Sequence, residues 1–182
     1  MKEKLYTIPL MDAFKAGDEC PFCFVERQLE QHAMDFVLGA GASYMEDDVR
    51  AETDKMGFCR THYKKMYDYG NRLGTGLILK THFQYKTKEL HEQIRIFAPS
   101  RASVFSRFKK GNTDTDAPKT SLGAWVKEQE DTCYICNFYK DTYARYLDTF
   151  FELFKKSQEF LPLFETCKGF CIPHFGDLVE TA

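Results

Sequence analysis

CPFC at residues 20–23 and GFCRTH at residues 57–62 decide the fold between them, because both recur. CYIC stands at 133–136 and GFCIPH at 169–174. Each half of the chain reads C-x2-C, then G-F-C-x2-H, with 35 or 34 residues between the second and third cysteines. Cys20 and Cys23 map onto Cys133 and Cys136 at an offset of 113, and Cys59 and His62 onto Cys171 and His174 at an offset of 112. Eight donors recurring in order with a one-residue slip point to an internal duplication. Each half is then expected to be one supersecondary unit. Cys167 aligns with Lys55 and belongs to neither quartet.

The spacers read as helical hairpins. Phe22, Val25, Leu29, Ala33, Phe36 and Val37 follow a helical rhythm. Asp18, Glu19 and Pro21 suit a helix start, with acids before the first turn and proline inside it. GAGAS (39–43) should end this helix, a second should run back over about 44–55 to Gly57, and a third should cover 60–69 with His62 in its first turn. In the second half, Ile135, Phe138, Tyr146, Leu147, Phe150 and Phe154 line an outgoing helix. Residues 157–167 return, Gly169 stops them, and Pro173 opens the last helix. Such a hairpin brings Cys59 back to Cys20 and Cys23, and Cys171 back to Cys133 and Cys136. The quartets are therefore expected within each half.

Between the halves, 73–98 reads as a long amphipathic helix with Leu77, Phe83, Leu90, Ile94 and Phe97 on its apolar face. Residues 99–124 are rich in Ser, Thr, Gly, Pro and charge and read as an exposed, flexible linker. The expected class is all-α: duplicated zinc-stapled helical hairpins joined by the long helix and the linker. Apart from a short extended piece near Leu5–Leu10, no strand is foreseen. The units are 1–98, 99–124 and 125–182. The second repeat, ending eight residues after His174, is expected to lack a C-terminal segment.

Three thiolates and one imidazole make a closed tetrahedral shell for Zn²⁺, so Cys20, Cys23, Cys59, His62, Cys133, Cys136, Cys171 and His174 are the expected ligands of two ions per chain. Such a site carries a net charge of about −1, and helix N-termini with their free N–H groups suit it. Zinc is favoured over an iron–sulfur cluster and over thiol–disulfide chemistry at the C-x2-C pairs. A redox pair calls for a βαβ setting and an accessible thiolate, and here the surroundings read as helical. Four protein ligands leave no open position for catalysis at the metal, so no catalytic residue is assigned. His32, His82 and His91 fall within helices and read as core-edge or surface histidines.

Composition narrows the function classes. The 182 residues carry a net charge of −2, whereas proteins held to nucleic acid by phosphate contacts are usually basic. Arg101, Arg107, Lys109 and Lys110, interleaved with Phe105 and Phe108, form the one stretch suited to nucleic acid or anionic lipid, though Asp114 and Asp116 follow at once. A solvated linker is the simpler reading, and a nucleic-acid adaptor stays a disfavoured alternative. The N-terminus lacks the apolar run and cleavage site of a signal peptide, and no stretch is apolar enough to span a bilayer. Seven cysteines, an odd number, fit a closed disulfide framework poorly. The cytoplasm is the expected compartment, with a protein partner as the expected target.

GFCRTH, KGFCIPHF and the two C-x2-C pairs resemble an uncharacterised bacterial domain-of-unknown-function family typical of anaerobic Firmicutes. Some of its members carry the automatic label "ABC transporter substrate-binding protein", a role that requires export. The resemblance covers most of the chain. It implies the ligand set and a chain that continues beyond the equivalent of Ala182, and it implies no reaction.

Overall fold

The computed structural model describes residues 5–97, 118 and 120–182. All regular structure among these residues is helical: α1 (Thr7–Lys15), α2 (Pro21–Leu38), a 3-10 turn (Ser43–Met45), α3 (Asp47–Met56), α4 (Arg60–Tyr69), α5 (Arg72–Ile96), α6 (Ser121–Asp131), α7 (Tyr134–Lys156), α8 (Phe160–Thr166) and α9 (Ile172–Thr181). The class is all-α, as the periodicity requires. The chain forms two compact units, Met1–Phe36 with Ile135–Ala182, and Val37–Tyr134.

The first unit is built on aromatic packing. Leu10, Ala13 and Phe14 of α1, Phe22, Val25 and Leu29 of α2, and Tyr146, Leu147, Phe150 and Leu153 of α7 bury one face each in a common core, joined by Phe160 and Leu178. Phe150 lies at the centre, its ring 5.8 Å from Phe22 and Phe160 and 6.0 Å from Phe14. These edge-on and offset contacts add to the area each ring removes from water. Phe22 meets Tyr143 and Phe150 while Phe36 stacks on Phe138, so α2 and α7 run antiparallel.

The Leu5–Leu10 stretch is not extended. It enters α1, whose first helical bond runs from Leu10 N–H to the Tyr6 carbonyl at 3.1 Å. Pro9 sits in the first turn, where its missing N–H has no intrahelical partner to lose. Leu10, Ala13 and Phe14 then share the buried face that fixes the helix.

The second unit packs α3 and the 3-10 turn against α5. The helix foreseen at 73–98 is present, but it buries Gly74, Ile78 and His82, while Phe83, Leu90 and Ile94 are exposed. The apolar residues alone gave the wrong face, because Gly74 is where Tyr44 packs: a Cβ there would lie 2.8 Å from the Tyr44 ring. Asn71 caps α5 by accepting from Gly74 N–H at 2.9 Å, and its amide donates to the Leu38 carbonyl at 2.7 Å. Thr81 donates to the Asp54 carboxylate at 2.6 Å and the His82 Nδ1–H to the Asp54 carbonyl at 2.9 Å. His82 is thus a satisfied core histidine, while His32 and His91 are exposed.

Most of the 99–124 stretch, including the basic residues 101–110, lies outside the described residues. Its last four residues are helical: Ser121–Ala124 form the first turn of α6, capped by Thr120 Oγ1, which accepts from Gly123 N–H at 3.0 Å.

Candidate metal centres

The eight donors gather in two clusters, Cys20, Cys23, Cys171 and His174, and Cys59, His62, Cys133 and Cys136. Within each cluster the donor atoms all lie within 4.8 Å of one another. The pairing within each half is therefore corrected. The C-x2-C of one half meets the C-x2-H of the other, in both directions.

Packing explains the first exchange. Phe22, between Cys20 and Cys23, has its ring against Phe170 and Tyr143, and Phe170 immediately precedes Cys171. The aromatic residues beside the ligands thus carry α9 onto the start of α2. In the second cluster the backbone is the clasp. Gly57 ends α3 by donating to the Thr53 carbonyl at 2.9 Å, while its own carbonyl accepts from Tyr134 N–H at 2.9 Å. Thr132 Oγ1 donates to the Met56 carbonyl at 3.0 Å. These bonds set Cys133 beside Cys59 and His62.

Gly57 has φ +65° and ψ −156°, a region that glycine alone adopts without strain. A Cβ at this position would also lie 2.6 Å from His82 Cε1. Both glycines of the GFC motifs, Gly57 and Gly169, take positive φ, and the cysteines that follow them have nearly identical extended backbones: φ −70°, ψ 163° at Cys59 and φ −67°, ψ 158° at Cys171. Each of these cysteines is the N-cap of its helix, α4 or α9, with the histidine one turn on. Cys20 and Cys133 immediately precede α2 and α7. Every donor therefore sits at a helix N-terminus, where free N–H groups and the helix dipole favour thiolate.

In the first cluster, His174 Nδ1 lies 3.0 Å from Cys171 Sγ, 3.4 Å from Cys23 Sγ and 3.5 Å from Cys20 Sγ, and the Cys23 and Cys171 sulfurs are 3.6 Å apart. In the second, His62 Nδ1 lies 3.2 Å from both Cys59 Sγ and Cys133 Sγ. A tetrahedral ion with metal–sulfur bonds of ~2.3 Å and a metal–nitrogen bond of ~2.0 Å spaces its ligands about 3.6–3.8 Å apart. The nitrogen–sulfur separations above fall short of that spacing by no more than ~0.6 Å, and no two donors of a cluster lie more than 4.8 Å apart. Cys20, His62, Cys133 and His174 are buried, and the other four donors are half-buried.

The electrostatics of the first cluster call for a cation. Burial alone would raise the Cys20 thiol, but backbone N–H groups of Cys171, Cys23 and Phe22 outweigh it and hold Cys20 below its ordinary value. Burial pushes the Cys23 thiol up to about 12, reinforced by hydrogen bonds to Cys171 and Cys20 and by their charge. One thiolate is accommodated by the protein alone, and further ones repel it.

Sequence reading missed the partners of His174. Its Nε2 faces the Glu26 carboxylate at 3.5 Å, and its ring packs 5.8 Å from Tyr143 and 6.2 Å from Phe22. Tyr143 donates in turn to Asp177 at 2.8 Å. A carboxylate on the far nitrogen fixes the tautomer that offers Nδ1 to an ion. The available signal was weak: Glu26 lies one helical turn beyond Cys23, on the face that carries the ligand.

Cys167 belongs to neither cluster and packs at the edge of the first unit's core. Among the described residues no helix is long and apolar enough to cross a membrane. No curated protein and no solved structure matches the chain. A family model matches residues 1–182 throughout, and the chain belongs to that family, DUF6062, described as a family of unknown function.

Proposed function

We propose that this chain is a cytoplasmic zinc protein with two structural Cys3His sites, acting as a protein-interaction or regulatory module rather than as an enzyme. The observation that carries the reading is the gathering of all eight donors into two complete four-donor shells. Sulfur-rich shells with one imidazole suit zinc, and hard cations such as magnesium prefer oxygen. With all four positions filled by protein, the ion has none left for substrate or water. Its contribution at the first cluster is to staple α2 to α9. The recurrence of motif, cap geometry and helix order supports a duplicated ancestor whose two halves exchanged partners. Elemental analysis of the purified protein should find two zinc ions per chain and no visible absorption of an iron–sulfur cluster. One ion or none overturns the reading.

A further inference from the structure

The donors of the first cluster differ in access. Cys20 is 2% exposed and receives backbone N–H bonds, and His174 is 6% exposed. Cys23 and Cys171 are half-buried, and their sulfurs stand 3.6 Å apart. Cys59 and Cys136, the half-buried sulfurs of the second cluster, occupy the matching motif positions, so this access follows the motif rather than a local accident.

We propose that Cys23 and Cys171 form an oxidation-sensitive pair that closes to a disulfide and expels the metal when the cluster meets a peroxide. The proposal rests on the zinc reading for the metal it releases, and on the sulfur geometry for the bond it forms. One half-buried thiolate attacks the peroxide: the O–O bond breaks, a sulfenic acid forms, and water leaves after taking up a proton. The second thiolate attacks that sulfenic sulfur, the S–S bond forms, and a second water leaves with another proton. Two electrons pass from the two sulfurs to the peroxide. The ion then keeps only Cys20 and His174 as donors and dissociates.

The pair lies across the chain and not within a C-x2-C motif, which separates this device from a thioredoxin-like one. The sulfurs must close by about 1.5 Å to reach an S–S bond of ~2.05 Å. The new bond joins the first turn of α2 to the N-cap of α9, the same two elements the metal joins. Oxidation therefore exchanges one staple for another and leaves the first unit closed. What changes is the charge and shape of its end.

The experiment treats the zinc-loaded full chain with hydrogen peroxide, follows zinc release with a chromogenic chelator, and maps disulfides in tryptic digests. The expected product links the peptide 16–27 to the peptide 169–182 through Cys23 and Cys171, with one zinc released per crosslink from that cluster, reversed by dithiothreitol and added zinc. A bond between Cys20 and Cys23, or no crosslink while zinc is lost, overturns the proposal. A chain isolated without zinc refutes the structural-zinc reading alone, since the crosslink between the same peptides is still scored. The Cys20→Ser variant is a second readout: the 23–171 crosslink forms in it, whereas a pair that required Cys20 would be lost.

Discussion

Zinc stoichiometry in paired variants separates crossed from within-half ligation. Cys20 Sγ lies 3.5 Å from His174 Nδ1, and these two residues fall in one cluster while His62 falls in the other. Removing one ligand should empty one site. A Cys20→Ser, His174→Ala chain then strikes the same site twice and should retain one zinc. A Cys20→Ser, His62→Ala chain strikes both sites and should retain none. Ligation within each half demands the reverse. Stability should follow the same logic. A structural zinc contributes on the order of 10 kcal/mol, so loss of either site costs several kcal/mol. The second substitution in an already empty site should add less than ~1 kcal/mol, whereas effects at separate sites add to within about 0.5 kcal/mol. Elemental analysis and urea unfolding of the three single variants and the two doubles give the answer. Loss of both zinc ions from the Cys20→Ser, His174→Ala chain would refute the crossed arrangement.

Other expectations follow from particular contacts. Glu26→Gln should weaken zinc at the first cluster by about 10–100-fold in chelator competition and leave the second unchanged, because only His174 loses its carboxylate partner. Phe150→Ala should destabilise the protein by about 3–5 kcal/mol in chemical denaturation, since it empties the centre of the first core. Gly57→Ala should lower stability by at least ~2 kcal/mol, because strained φ combines with a 2.6 Å approach to His82. At Gly17, with φ +68° and no atom within 4 Å of a built Cβ, the same change should cost only ~1 kcal/mol; thermal melts of the two variants side by side test the difference.

Helix existence was legible wherever a breaker or cap marked an end. The third helix of the first half runs from Arg60 to Tyr69 as foreseen, and α2 stops at Leu38 before the GAGAS stretch. That these eight residues gather into two four-donor clusters was legible in part, because a fourfold donor pattern repeated is hard to produce otherwise. Their partnership was not. Both arrangements use the same eight residues, and spacing says only that a hairpin can return, not which neighbour it meets. The choice depends on long-range packing, Phe22 with Phe170 at one cluster and the Gly57–Tyr134 backbone bond at the other. Neither leaves a local periodic trace. The buried face of α5 was missed for a related reason: Gly74 and His82 flank Ile78 on it, and Phe83, Leu90 and Ile94 are exposed.

The crossed arrangement also bears on how the chain is made. By the time residue 62 has left the ribosome, Cys20, Cys23, Cys59 and His62 already form a complete donor set for one ion. Their native partners are not yet synthesised. Cys133 and Cys136 must emerge before the second cluster can close, and Cys171 and His174 before the first. A nascent chain that captures metal early therefore holds a thermodynamically plausible but misplaced knot, and it must surrender a thiolate-bound ion to finish folding. Metal supply during translation then becomes a matter of timing: late delivery favours the native exchange, and early excess favours a trapped first half.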